Sequence, residues 1–142
     1  HDIGKLGVSN SVLDKNGKPD DDEWAEIKRH PELGRVILSK IAAFQDMARI
    51  AGDHHEKLNG RGYPHGIKAD AIDLDTRIVT VADIFDALTA DRPYRKAMPV
   101  SAAFEIMEKE VGTGLDTDVF AALRRGFARL EDVADSEGER AA

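Results

Sequence analysis

The 142-residue chain has no cysteine, which excludes disulfides and thiolate metal ligands and makes the cytoplasm the expected compartment. It has no apolar run long enough to span a bilayer and no recognisable signal peptide. Basic residues are outnumbered, 20 Lys and Arg against 27 Asp and Glu, and the net charge of −7 argues against a surface built to grip a nucleic acid duplex. A small phosphorylated ligand remains compatible with that charge, because metal ions and a few local arginines can invert the field inside one pocket. Sustained alternation of period two is lacking, and so is any internal repeat. What is present, 42% apolar and 33% charged residues, is the composition of one soluble globular domain with a real core.

The apolar spacing is helical almost throughout. Helices are expected over 20–29, with Asp20 or Asp21 as N-cap and acidic residues in the first turn, then over 33–41 after a restart at Pro31, and over 44–55. Further helices are expected over 75–90, 99–110 and 116–130, the second with Pro99 near N1 and the third capped by Asp116. Leu33, Val36, Ile37 and Ile41 form one predicted core stripe; Met47, Ala48, Ile50 and Ala51 form a second; Ile78, Val81, Ala82, Phe85 and Leu88 form a third. Trp24 and Phe44 fall among apolar neighbours and read as core. Between His55 and Ile67 three glycines and a proline crowd into eight residues, Asn59 to Gly66, which marks a shaped loop. The small, acidic stretch 131–142 reads as a flexible tail, leaving 1–130 as the folded domain.

Four of the five histidines, in His1-Asp2, His30-Pro31 and His54-His55, have a carboxylate, a second imidazole or a helix-starting proline as neighbour, and Asp83 follows on a predicted helix. Imidazole with carboxylate and no sulfur suits iron, manganese or zinc in hydrolytic or redox chemistry. The separations, 28 residues from Asp2 to His30, 24 from His30 to His54 and 28 from His55 to Asp83, are too long for a finger. They suit ligands converging from several helices of a bundle.

Six motifs in fixed order resemble the HD-GYP domain, a branch of the HD metallohydrolase superfamily. They are His1-Asp2-Ile3-Gly4-Lys5, His30-Pro31-Glu32-Leu33-Gly34, His54-His55-Glu56, Asn59-Gly60-Arg61-Gly62-Tyr63-Pro64, Val81 to Thr89 around Asp83, and Arg92-Pro93-Tyr94-Arg95. The resemblance implies an all-α helical bundle of HD type with additional C-terminal helices. It also implies a centre of two or three divalent metal ions, iron first with manganese or another ion as alternatives, and hydrolysis of cyclic di-GMP or a related cyclic dinucleotide to a linear dinucleotide, to GMP, or both. Relatives of this kind place a further histidine, and in some a glutamate, on a helix ahead of the His-Asp pair, a segment that this sequence does not include. They usually sit behind a sensor or receiver domain; a homodimer is compatible with the resemblance. Asn59 stands where the family commonly has Asp, a change that keeps the turn-forming side chain.

By the same resemblance, one metal takes His30, His54, His55 and Asp2, and the other takes His1, Asp2, Asp83 and the upstream histidine, with Asp2 as the bridge. Lys5 is expected to reach a ligand phosphate, one helical turn beyond His1. Arg92 and Arg95 are expected to fork onto the second phosphate or stack on a guanine. Tyr63 presents either its ring to a base and its hydroxyl to a phosphate or carboxylate, or serves as a packing anchor for the loop. Glu56 and Asp86 are candidates for orienting a histidine or a water beside the ligands. Two rival readings stay open: a non-hydrolytic module binding a cyclic dinucleotide or a protein, and an HD-superfamily nucleotidase acting on a phosphomonoester. The intact set from His1 to Asp83 counts against the first, and the Gly-Tyr-Pro loop against the second.

Overall fold

The computed structural model describes residues 1–91 and 96–140, with side chains to residue 130; Arg92 and Arg95 lie outside the described residues. Among the described residues seven α-helices follow one another: α1 (Asn10–Leu13), α2 (Asp21–Ile27), α3 (His30–Leu38), α4 (Gln45–Asp53), α5 (Leu74–Thr89), α6 (Val100–Glu108) and α7 (Thr117–Arg140). Three short 3-10 segments, Asp2–Gly7, Ala42–Phe44 and Ala69–Ala71, complete the set, and the described residues hold two isolated β-bridges. The fold is all-α, as expected.

Local chemistry explains the helix starts. Asp20 caps α2 by accepting from the amides of Asp22 and Glu23, while the Glu23 carboxylate returns to the Asp20 amide at 2.8 Å, a complete capping box. Asp73, rather than a residue further on, caps α5 by accepting from the Thr76 amide at 2.8 Å. Pro31 occupies the first turn of α3, where its absent N–H costs nothing. Helix α7 continues to Arg140, where the sequence reading placed a flexible acidic tail. That stretch contains no proline to interrupt the helix after Leu130, and its glycine, Gly138, comes only near the end.

The molecule packs in two ways. Helices α5, α6 and α7 enclose an apolar cluster of Val81, Phe85, Ala103, Met107, Leu115 and Phe120, joined by partly buried Phe104 and Phe127. Its rings interlock, with Phe85 and Phe104 stacked at 5.2 Å and Phe104 edge-on to Phe120 at 5.9 Å. The other half, formed by the 3-10 segment Asp2–Gly7 with α3 and α4, packs through small residues. Gly4 lies so close to α3 that a Cβ on it would fall 1.8 Å from the His30 carbonyl oxygen, and Gly34 faces the methyl of buried Ala51.

This close approach reorients the predicted stripes. His30, Pro31 and Gly34 are the buried residues of α3, whereas Val36, Ile37 and Ile41 are exposed. On α4 the alanines Ala48 and Ala51 face inward and Met47 stays outside; on α5, Ile78 and Ala82 are exposed while Val81 and Phe85 are buried. Trp24, expected in the core, is 43% exposed.

Candidate metal centre

Five elements meet at one cleft. The 3-10 segment brings His1 and Asp2, the start of α3 brings His30, the end of α4 brings His54 and His55, α5 brings Asp83, and the loop after α4 brings Tyr63. His30 and His54 form its floor, 2% and 0% exposed. The ligating atoms of His30, His54 and His55 lie within 4.8 Å of one another, and so do those of His1, His54 and Asp83. His54 therefore belongs to both groups, which differs from the division suggested by the resemblance. Asp2 stands between them: its Oδ1 is 3.3 Å from His30 Nε2 and 3.9 Å from His54 Nε2, and its Oδ2 is 3.7 Å from His1 Nε2. Asp83 faces His1 Nε2 at 3.4 Å with one oxygen and His55 Nδ1 at 3.9 Å with the other.

The tautomers are fixed by the backbone. His30 Nδ1 lies 2.6 Å from the Ile27 carbonyl oxygen and His54 Nδ1 lies 2.8 Å from the Ala51 carbonyl oxygen, and each ring nitrogen must donate there because a carbonyl only accepts. Both Nε2 atoms are then left with lone pairs, 3.3 Å apart and facing each other beside a carboxylate oxygen. Burial, reinforced by neighbouring His55, holds the His54 pKa down at about 4; burial and neighbouring His30 do the same for His55; burial also lowers His30. The two Nε2 atoms and Asp2 Oδ1 converge as acceptors, and the Lys5 ammonium donates only to the other carboxylate oxygen. Such an arrangement fits a cation, and 3.3 Å matches the roughly 3.0 to 3.4 Å between adjacent nitrogens bound at about 2.1 Å to one ion.

Other residues support this floor. Thr80 on α5 places its hydroxyl 2.8 Å from the His54 carbonyl oxygen and 2.9 Å from the Thr76 carbonyl oxygen, tying the end of α4 to the helix that carries Asp83. Lys5 Nζ donates to Asp2 Oδ2 at 2.6 Å. The 3-10 geometry, with three residues per turn, sets Lys5 directly above Asp2 rather than above His1. Burial alone would raise the Asp2 carboxyl, but the hydrogen bond and charge of Lys5 outweigh it and leave the pKa below the ordinary carboxylate range.

Tyr63 stacks on His55, centroids 4.7 Å apart and planes 28° apart. Its amide donates to the His55 carbonyl at 3.2 Å, and Gly62 approaches so closely that a Cβ there would sit 2.4 Å from Glu56 Cα. Burial, with Asp83 and Asp2 nearby, raises the Tyr63 hydroxyl pKa, so the phenol stays protonated. Asn59 accepts from the Arg61 amide at 3.0 Å, the local turn bond that Asp would also make.

Glu56 has a further role. It is buried, and its Oε1 accepts from the His65 and Gly66 amides at 2.7 and 3.0 Å and so braces the Gly-Tyr-Pro loop, a role added to the one expected, while its Oε2 is buried with no hydrogen-bond partner among the described residues. A backbone-directed carboxylate leaves no mark in a motif. Asp86 lies one turn beyond Asp83 at the exposed surface. The close approach of Gly4 and the Thr80 hydroxyl were not legible either, since both act on backbone from distant elements.

Comparison with known proteins completes the picture. The family model described as "HD domain" matches residues 1–119. The chain belongs to the HD domain family. Among curated relatives, it is 54% identical over 93% of its length to "3'3'-cGAMP-specific phosphodiesterase 3" of Vibrio cholerae, covering 29% of that protein. It is 44% identical over 94% of its length to "Cyclic di-GMP phosphodiesterase response regulator RpfG" of Xanthomonas campestris, covering 36% of it. A third, "3'3'-cGAMP-specific phosphodiesterase 1" of Vibrio cholerae, is 43% identical over 96% of this chain and 32% of the relative. The chain thus spans about a third of the length of the curated relatives it matches. These likenesses agree with the HD-GYP resemblance of the sequence motifs. No helix among the described residues is long and apolar enough to cross a membrane.

Proposed function

We propose that this domain is a divalent-metal-dependent phosphodiesterase that opens a cyclic dinucleotide, cyclic di-GMP or a 3′3′-linked relative. The observation that carries the reading is the convergence of the His30 and His54 Nε2 lone pairs on Asp2, with His1, His55 and Asp83 extending it into two overlapping groups. Bound divalent ions would supply Lewis acidity toward a phosphate oxygen and lower the pKa of a water at the cleft.

The chain's own residues do the rest. His30, His54 and His55 would hold one ion and His1 and Asp83 would line the position of the other, with Asp2 between the two, one oxygen facing each side; the single free Nε2 lone pair of His54, within reach of both positions, would serve one of them. The family resemblance puts iron first and manganese second, and the N and O donor set is compatible with either. The protonated imidazole Nδ1 atoms stay committed to Ile27 and Ala51, so the ring planes cannot turn away. Hydrolysis forms a bond from water oxygen to phosphorus and breaks the bond from phosphorus to the 3′ oxygen, which takes up a proton from solvent water as the attacking water gives one up, and negative charge builds on the phosphate in the transition state. Lys5, at the open edge of the cleft on Asp2, provides the fixed cation for that charge. Tyr63, protonated and stacked on His55, offers a neutral hydroxyl beside the phosphate. Arg92 and Arg95 are retained as candidates for the second phosphate or a base, and Asp86 as a candidate for orienting water.

Two substrates are named by the relatives, and the 54% identity to the cGAMP-specific enzyme favours testing the mixed dinucleotide alongside cyclic di-GMP. The setting we propose is cytoplasmic, downstream of a sensor or receiver domain, as the response-regulator relative suggests. Purified full-length protein, loaded with iron or manganese, should convert one of the two dinucleotides to linear or mononucleotide products resolved by chromatography. Metal-loaded protein that cleaves neither, or that cleaves only phosphomonoesters, would overturn the proposal.

A further inference from the structure

Sequence periodicity assigns Trp24 to the core, but in the fold the indole is 43% exposed. Large aromatic side chains are usually mostly buried, so an indole left this open next to a site needs a reason. Trp24 stands edge-on to Tyr63, with centroids 6.2 Å apart and planes 73° apart, and Tyr63 in turn stacks on His55. One turn further along α2, Ile27 supplies the carbonyl that fixes His30. The helix that positions a buried histidine therefore also carries the exposed indole, which flanks Tyr63 beside the histidine cluster.

Tyr63 has one face committed to His55 and is itself only partly exposed, which limits what it can give a base. The open aromatic surface beside it belongs to Trp24. We propose that Trp24 is the base-stacking wall of the substrate cleft, contacting a purine of the bound dinucleotide while the phosphates face the histidine floor. This rests on the cyclic-dinucleotide reading above and adds a residue that sets affinity for the nucleobase. Stacking on an indole is tolerant of base identity, because every purine has a π face. Trp24 thus strengthens binding of cyclic di-GMP and of the mixed dinucleotide alike, and discrimination between them lies elsewhere.

The test uses full-length, metal-loaded protein and three forms, wild type, Trp24→Ala and Trp24→Phe. Trp24→Ala should raise the KM for the cleaved dinucleotide roughly tenfold with kcat little changed, and Trp24→Phe should recover most of that loss. Metal content and thermal melting should match wild type, since the indole is neither ligand nor core. An independent readout is the fluorescence lost on adding cyclic di-GMP or the mixed dinucleotide, compared between wild type and Trp24→Phe; quenching should be confined to the form with the indole. An unchanged KM in Trp24→Ala, or equal fluorescence responses in the two forms, overturns the inference. If wild type loads metal yet cleaves neither dinucleotide, the functional reading fails, and the fluorescence comparison still decides whether Trp24 contacts a bound nucleotide.

Discussion

The two halves of the domain are held together by opposite means. Helices α5 to α7 close on interlocking phenylalanines, Phe85, Phe104, Phe120 and Phe127, a packing that depends on large apolar volume. The half that carries the site uses Gly4, Gly34, Ala48 and Ala51 to bring backbones together, and it fills the space so formed with polar rings, His30 and His54. Small residues and buried imidazoles bury little apolar area, so this half draws its order from hydrogen bonds to backbone and from whatever cation occupies the floor. The aromatic half stabilises; the glycine half positions.

The largest expected effect tests the aromatic side. Phe85→Ala removes a buried ring that touches both Phe104 and Phe127, and should cost about 3–5 kcal/mol in chemical denaturation. Metal bound per folded molecule should not change. A fall in metal content in step with stability would break the division of labour, showing that the aromatic cluster also sets the geometry of the floor.

The site half should respond in the reverse way. His54 and His55 fall in one candidate ligand group with His30, so His54→Ala and His55→Ala should each lower metal content by about one ion per molecule. Elemental analysis of the purified variants is the check, and unchanged content in both would remove the metal centre itself. In metal-free protein the same residues predict an acid sensitivity. The folded pKa of each, about 4, lies below the unfolded value near 6.5, so between those limits the unfolded state binds a proton that the folded state does not. Stability should be flat above pH 6.5 and fall as pH drops toward 4, by about 1.4 kcal/mol per pH unit for each histidine at most. Denaturant titrations at pH 7, 6 and 5 measure it, and the slope should shrink in His55→Ala.

A smaller effect isolates one link between the halves. Thr80→Val keeps the shape of the side chain and deletes the hydroxyl beside the His54 carbonyl, at a cost of about 1 kcal/mol. If the link also steadies the imidazole, metal affinity should weaken in a competition assay with a chelator; unchanged affinity would confine Thr80 to stability.

The same contrast explains what could be read without coordinates. The helices and the all-α class were legible because caps such as Asp20 and the 3.6-residue spacing are local signals. The inward face was missed in α3 and legible only in part in α4, where Ala48 and Ala51 are buried and Met47 is not. Periodicity picks out the largest apolar residues, Val36, Ile37 and Met47, whereas close-packed backbones put the smallest ones inside. Site residue types were legible in His1-Asp2, His30-Pro31 and His54-His55, since imidazole and carboxylate in such company have few other uses. The nearness of His54 to both candidate groups, the loop-bracing role of Glu56 and the exposure of Trp24 are tertiary facts with no local signal.

Lys5 gives the smallest effect on stability and the sharpest on chemistry. Its pairing with Asp2 is 40% exposed at both ends, so the ion pair contributes under about 1 kcal/mol to folding. Lys5→Ala should therefore melt close to wild type. Under the proposed function the ammonium is, among the described residues, the fixed cation that meets the added phosphate charge, and a group that meets charge developing in the transition state affects kcat more than KM. Removing it also frees Asp2 from the bond that helps keep its carboxyl ionised, so metal content must be measured on the same preparation. A large drop in kcat at unchanged metal content places Lys5 on the reacting phosphate. A drop that follows metal loss assigns it to Asp2 instead, and an equal small effect on both kinetic constants would leave it a surface lysine.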